Sequence, residues 1–147
     1  MTDTEFTQPF ARGDSNDAYA QYFTGQSYNA LLTEGSVPVV NITFEPGCRN
    51  NWHIHHGENG GGDQILTCTA GSGRYQDAGE EPISMVPGTA IRVPAGTPHW
   101  HGAKADAWFS HIAFITPGEN VHNEWLEPVT DTDYNTLPHS NTNGETA

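Results

Sequence analysis

Basic side chains are scarce in this chain of 147 residues. Lys and Arg total five against 18 Asp and Glu, for a formal net charge of −13. Such an acidic chain is repelled by nucleic acid and by anionic lipid surfaces. No apolar run approaches the length of roughly 20 residues that a membrane helix needs, and the acidic N-terminus has no apolar signal core. We therefore expect no nucleic-acid partner, no membrane association and a cytoplasmic location.

Cysteine is scarce as well. The two cysteines, Cys48 and Cys68, do not make a disulfide framework. We expect both to be reduced thiols that act as small apolar fillers. Cys68 shares a strand face with Gln64 and Leu66, so Leu66 and Cys68 are also candidates for the floor of a pocket.

A long helical period is absent, and Gly and Pro punctuate short strand-like runs. This pattern indicates an all-β barrel or sandwich, and the length indicates one domain. We expect a flexible N-terminus over residues 1–18, a β-barrel domain over 19–137 that includes a short helix from Thr130 to Leu137, and a disordered tail over 138–147. The predicted strands cover residues 22–25, 37–44, 49–55, 64–70, 74–76, 83–86, 90–93, 99–103 and 108–115.

Two glycine-bounded motifs carry the histidines of greatest interest. The first runs from Gly47 to His53 and His55, and the second runs from Gly88 to His99. Side chains at positions i and i+2 of a strand point the same way, so His53 and His55 can chelate one ion. His99 would supply a third imidazole from across the barrel. Imidazole suits Zn, Cu, Fe and Ni, and the pattern predicts a metal site on the inner barrel face.

The spacing of these motifs resembles that of the cupin superfamily. Residues 47–55 match the G-x5-H-x-H start of the first cupin motif, and residues 88–99 match the G-x5-P-x-G-x2-H pattern of the second. The resemblance spans about 38–115 of the sequence. It implies a single-domain double-stranded β-helix, also called a jelly-roll barrel. Cupins of this size commonly pair, so it also implies a homodimer, with Tyr19–Leu32 as a candidate exchanged strand.

The glutamate of the first cupin motif is missing at its usual distance. Counting back six residues from Gly71 places Gln64 at its position, after an enlarged Gly-rich loop over His56–Asp63. That loop suits either a lid or a plain turn. Glu58 on the loop is a rival fourth ligand, but a strand positions a ligand better than a glycine-rich loop. The resemblance therefore implies metal ligation by His53, His55, Gln64 and His99.

A narrower resemblance is carried by residues 44–53, 98–102 and 108–111. It is to small cupins associated with carboxymuconolactone decarboxylases and to manganese-dependent bacterial hydroxynitrile lyases. A histidine implicated there in acid/base chemistry falls on His111. His101, which shares the strand face of His99, is a second candidate for proton transfer. The apolar pocket wall would fall on Val40 and Ile42, and Phe44 lies on the same side of that strand.

Some side chains in the motifs face away from the predicted metal. Trp52, Ile54 and Trp100 alternate with the histidines, so we expect them to pack against a second sheet or a partner subunit. Arg49 suits either an anionic substrate group or a structural carboxylate. His56, His122 and His139 are expected to lie outside the site.

The predicted ligands hold one divalent transition metal per chain, with Mn first and Zn, Fe, Ni or Co as alternatives. Three neutral imidazoles and a carboxamide leave the charge of the ion uncompensated, which favours Lewis-acid chemistry on a small-molecule substrate. Three functions stay open. A metal-dependent lyase for a small hydroxy or carbonyl compound needs no oxygen, a dioxygenase consumes it, and a non-catalytic cupin only binds a small ligand.

Overall fold

The computed structural model describes residues 6–135 of the chain. The predicted disordered tail, His139 and the end of the predicted helix lie outside this range. The described residues form thirteen strands, one 3₁₀ helix at Asp17–Tyr22 and one α-helix, α1, at Asp131–Asn135. The strands are β1 (Asp14–Ser15), β2 (Phe23–Thr24), β3 (Ser27–Thr33), β4 (Val39–Phe44), β5 (Arg49–Asn50), β6 (His53–Glu58), β7 (Gln64–Gly71), β8 (Gly73–Asp77), β9 (Ile83–Met85), β10 (Ala90–Val93), β11 (His99–Ala103), β12 (Phe109–Ile115) and β13 (Glu119–Trp125).

The strands form two antiparallel sheets. The first has the order β1-β3-β4-β12-β7-β10. The second has the order β13-β6-β11-β5-β2, with β8 and β9 attached through β11. Consecutive strands such as β6 and β7 lie in different sheets, as in a jelly-roll barrel. The all-β fold with a short C-terminal helix is confirmed.

The core lies between the two sheets. Along β7, buried and half-buried side chains alternate because every second one points inward. Both cysteines are free and buried, and burial raises the pKa of each thiol to about 12, so they act as apolar fillers. The buried cluster comprises Phe44, Cys48, Leu66, Cys68, Tyr75, Met85, Val93, Ala103, Phe109 and Ala113.

The outer face of the second sheet is covered by the segment that follows β13. Trp100 packs there with Val129 and Tyr134 of that segment, and Trp52 joins them. The expected outward direction of the two tryptophans is therefore observed, but their partner is the chain's own C-terminal segment. The Tyr134 hydroxyl donates to the backbone oxygen of Ala103 at 2.5 Å, which ties α1 to β11.

Arg49 has a structural role in this segment. Its guanidinium donates to the backbone oxygen of Val129 at 2.9 Å and to Asp131 at 2.6 Å, and it lies 4.3 Å from the ring centre of Tyr134. The Arg49 side chain therefore binds a carboxylate and a carbonyl of its own chain, which favours a structural role over substrate binding.

The described N-terminal residues contact the barrel. The Gln8 side chain accepts a hydrogen bond from Asn41 and donates one to Thr43, and Phe6 stacks on Trp108. Within Tyr19–Leu32, β3 pairs with β4 of the same chain. The domain boundaries, the homodimer and the strand exchange stay predictions. Among residues 6–135, no helix is long and apolar enough to cross a membrane.

Candidate metal centre

Four histidines lie side by side on the inner face of the second sheet. His53 and His55 come from β6, and His99 and His101 come from the adjacent β11, with His99 opposite His53 in register. The ring centres of His53 and His99 are 4.2 Å apart, and His55 lies 5.0 Å from His53. Ring nitrogens of His53, His99 and His101 all lie within 4.8 Å of one another, so this group can hold a metal ion.

Gln64 and His111 face these histidines from the first sheet, on the adjacent strands β7 and β12. The Gln64 Oε1 atom is 3.1 Å from Nε2 of His99. Gln64 also approaches His55, although His55 Nε2 has no partner in hydrogen-bond geometry. Glu58 is exposed at the end of β6, whereas Gln64 is buried beside the histidines.

Three of the imidazoles are anchored through Nδ1. His53 donates to the backbone oxygen of Asn51 at 2.7 Å, and His99 donates to that of Thr97 at 2.8 Å. His55 donates to Oδ1 of Asn123 at 2.6 Å. An oxygen acceptor requires the proton on Nδ1, so the neutral ring carries its lone pair on Nε2. Metal-binding histidines in proteins are anchored in this way.

The free lone pairs fit a cation. In this tautomer, Nε2 of His99 and Oε1 of Gln64 are both hydrogen-bond acceptors, and the two atoms are 3.1 Å apart. Their lone pairs repel each other unless both bind the same positive ion. Nε2 of His55 is buried without a hydrogen-bond partner, which is costly unless a ligand uses it. The donor set of imidazoles and one amide oxygen suits a first-row divalent ion.

His101 is held differently. Asn50 accepts a hydrogen bond from the backbone N–H of His101 at 3.0 Å, and its amide nitrogen lies 3.3 Å from both ring nitrogens. One ring nitrogen of His101 is therefore an acceptor for Asn50. The structure thus offers two candidates for the third imidazole. His101 is close to His53 and His99, whereas His55 has the unused nitrogen.

The histidines of the site are held in their neutral form. Burial lowers the pKa of His99 and His111 to about 4 each. Burial, reinforced by the neighbouring histidines, lowers the pKa of His53 and His101 well below the usual 6.5. Burial also lowers the pKa of His55. Neutral imidazole is the form that binds a metal or accepts a proton at neutral pH.

A cavity of about 380 Å³ opens in front of the histidines. Val40, Ile42 and Phe44, three of the predicted pocket residues, line it together with Ala113. Leu66 and Cys68, the other two pocket candidates, lie instead in the apolar cluster, and the cavity ends before it reaches them. The polar part of the wall consists of Asn16, Asn29, Asn50, His53, His55, Gln64, His101, His111 and Asn123.

His111 is the candidate proton acceptor. It lines the cavity, its ring lies 4.8 Å from that of His101, and its Nδ1 lies 3.4 Å from the backbone oxygen of Ile112. Its Nε2 is buried without a hydrogen-bond partner. A neutral imidazole with an unused nitrogen beside a cavity is suited to general-base chemistry.

Sequence reasoning missed the contribution of β13. Asn123 and Trp125 of this strand pair with His55 and His53, and both line the cavity. Trp125 lies 4.9 Å from the His53 ring and stacks on Tyr22 at 4.4 Å. Glu119–Trp125 has no apolar alternation that would have predicted a strand. The spacing of Asn123 and Trp125 by two residues is the single local signal that they share a face.

The glycine-rich loop is a packed turn. The backbone of Gly62 donates to Thr116 at 3.0 Å, and the Thr116 hydroxyl donates to Gly60 at 2.8 Å. A Cβ at Gly61 would meet Gly118 Cα at 2.7 Å, so only glycine fits this approach. Asp63 closes the loop by accepting the Ala95 N–H at 2.9 Å. These contacts hold the start of β7, where Gln64 lies.

Comparison with known proteins agrees with this architecture. The family model of the cupin domain matches residues 40–110. The (R)-mandelonitrile lyase of Granulicella tundricola is 33% identical over 119 residues, which cover 78% of this chain and 87% of that protein. A cupin-like protein from Thermotoga maritima is 30% identical and has a TM-score of 0.78, with 91% of this chain and 99% of that chain covered. A cupin-2 domain of Rhodospirillum rubrum, 14% identical, has a TM-score of 0.65 over 95% and 93% of the two chains. This chain belongs to the cupin superfamily.

Proposed function

We propose that this cupin is a metal-dependent lyase that cleaves a small hydroxy compound, such as a hydroxynitrile, into a carbonyl compound and a leaving group. The observation that carries the proposal is the unused Nε2 of His111, beside the cavity that His53, His55 and His101 also line. The 33% identity to a mandelonitrile lyase supports the same class of reaction.

We assign the metal to His53, His55, Gln64 and His99, with Mn²⁺ as the ion. Nδ1 anchoring of all three histidines and the unused Nε2 of His55 support this set over one that contains His101. A divalent ion bound there would act as a Lewis acid on a hydroxyl or carbonyl oxygen. The ligands themselves add no negative charge to oppose it.

The wall of the cavity carries no charged side chain and suits a small substrate with a hydrocarbon part and one polar end. None of its described lining residues is Asp, Glu, Lys or Arg, so the protein supplies no fixed charge to pair with an ionic group. Val40, Ile42 and Phe44 offer an apolar wall to the hydrocarbon part. The opposite wall of histidines and amides orients a polar end towards His53 and His55. Burial of the apolar part is worth roughly 25 cal/mol per Å².

His111 is the base in this proposal. Its neutral Nε2 accepts the proton of the substrate hydroxyl while the bond between carbon and the leaving group breaks. The O–H electron pair forms the carbonyl, and the leaving group departs with the electrons of the broken bond. For a hydroxynitrile the leaving group is cyanide, which takes the proton back from His111 and leaves as HCN. His101 packs edge-on against His111 and holds its ring.

The test begins with metal-free protein prepared with a chelator and reloaded with Mn²⁺, Zn²⁺ or Fe²⁺. Aldehyde release from mandelonitrile is then followed with and without oxygen. We expect one metal per chain and activity that is independent of oxygen. Oxygen uptake with a catechol would instead support a dioxygenase, and bound metal with neither reaction would support a binding protein.

The ligand assignment has its own control. The metal content of His55→Ala is compared with that of His101→Ala. Circular dichroism checks that both variants are folded. Loss of metal in His55→Ala alone supports the assigned set. Loss in His101→Ala alone would transfer the third ligand position to His101.

A further inference from the structure

The anchors of the three assigned imidazoles are unequal. His53 and His99 each donate to a backbone oxygen two residues earlier in the chain, at Asn51 and Thr97. Because the acceptor is a backbone oxygen, such an anchor remains when the side chain of the accepting residue is substituted. His55 is the exception, because its acceptor is a side chain, Oδ1 of Asn123. Its orientation thus depends on one replaceable residue 68 positions later.

Asn123 belongs to β13, which lies at the edge of the second sheet. Among the described residues, β6 is the neighbouring strand with which β13 pairs. Register places Asn123 opposite His55, so its side chain is directed to the inner face beside the ligand. The residue on either side points outward. Glu124, for example, reaches His56 on the outer face at 2.8 Å.

The hydrogen bond has a definite chemical effect. At 2.6 Å the amide oxygen selects the Nδ1–H tautomer of His55 and leaves the lone pair on the buried Nε2. Without that acceptor, the ring is free to place its proton on Nε2 or to rotate. Either change removes the lone pair from the cavity side.

We infer that Asn123 is a positioning residue that sets the tautomer and orientation of the third imidazole, so that docking of edge strand β13 completes the metal centre. This role rests on the proposed ligand set. A residue of this kind typically contributes about 10- to 100-fold to metal affinity.

The test uses Asn123→Ala and Asn123→Asp, with His122→Ala as a matched control on the outer face of the same strand. The first readout is the ring tautomer of His55 in metal-free protein, followed by long-range ¹H–¹⁵N NMR and assigned by comparison with His55→Ala. We expect the Nδ1–H tautomer in wild type, in His122→Ala and in Asn123→Asp. Asn123→Ala should show a mixture or the Nε2–H form.

The second readout is Mn²⁺ affinity, measured by competition with a metal-binding dye. We expect about 10- to 100-fold weaker binding in Asn123→Ala and at least wild-type affinity in Asn123→Asp, whose carboxylate is a stronger acceptor. Equal loss in both variants would make the role merely structural and overturn the inference, as would an unchanged tautomer in Asn123→Ala. If the Ala variant does not fold, the near-isosteric Asp variant keeps the inference falsifiable, because loss of the Nδ1–H tautomer or of Mn²⁺ affinity in Asn123→Asp would overturn it.

The two proposals fail separately. A wild-type protein that binds no Mn²⁺ contradicts the proposed metal-dependent function. A tautomer of His55 that still changes in Asn123→Ala would then show that Asn123 orients the ring, without a part in metal binding.

Discussion

The two ends of the barrel interior are built from the same strands but have opposite character. Beyond Phe44, the side chains of Leu66, Cys68 and Phe109 pack in an apolar cluster with at most 1% of their surface exposed. On the other side of Phe44, the same sheets present histidines and amides around a cavity. The packed end keeps no unused polar atom in the cluster, whereas the cavity end keeps two unpartnered imidazole nitrogens.

This difference separates stability from chemistry. Apolar packing stabilises the fold in proportion to the area buried. A buried polar atom without a partner destabilises it by about 1–3 kcal/mol, so such atoms are retained where they serve a ligand or a reaction. Substitutions at one end should therefore change stability, and substitutions at the other should change metal binding or turnover.

The largest effect is expected from His111→Phe. The His111 ring packs against both Phe44 and Phe109, so phenylalanine suits the surroundings and removes the base. We expect turnover of a hydroxynitrile to fall about 10²- to 10⁴-fold at unchanged metal content. Steady-state kinetics and elemental analysis on the same preparation check this. Retention of more than a tenth of the activity would remove His111 from the mechanism.

The packed end is tested with Leu66→Ala. Leu66 is fully buried, so the lost contacts and the cavity left behind should cost about 2–5 kcal/mol of unfolding free energy. Metal stoichiometry should stay that of the wild type. Ile65→Ala, on the half-buried outer face of the same strand, is the matched control with a smaller loss. Urea denaturation measures both, and equal losses would contradict the assigned core.

The pH dependence of the metal-free protein should report on the cavity end. Burial lowers the pKa of His111 from 6.5 to about 4, so the unfolded chain binds the proton more readily. Its contribution to stability is therefore full above pH 6.5 and is lost as the pH falls towards 4. The expected size is up to about 3 kcal/mol. Urea denaturation from pH 7 to 4 should show a weaker pH dependence in His111→Phe than in wild type.

The smallest effect is expected at the glycine-rich turn. A Cβ at Gly61 would meet both Gly118 Cα and Val121 Cγ2 at 2.7 Å. We expect Gly61→Ala to cost about 1–3 kcal/mol, because the backbone must shift. Glu58→Ala, at the exposed end of β6 beside this turn, should leave thermal stability and metal content unchanged. Metal loss in Glu58→Ala would restore Glu58 as a ligand.

Most inner strands could be predicted from local pattern. The strands at Ala90–Val93 and His99–Ala103 are observed with the predicted bounds, and the strand that begins at Gln64 extends one residue further, to Gly71. The strand Glu119–Trp125 was missed because its seven residues include only two apolar side chains, Val121 and Trp125, too few for a clear alternation. It is held by backbone pairing with β6, a long-range contact that no local period encodes.

By itself, the amino-acid sequence determined the strand parity that directs His53 and His55 to one side and the motif spacing that indicates the superfamily. Only the tertiary structure decided that the cavity stops at Phe44, that Arg49 binds the C-terminal segment, and that Asn123 anchors His55. The physical reason is that parity is a property of each strand's own backbone. A hydrogen-bond partner or a cavity boundary depends on residues far apart in the chain that only folding brings together.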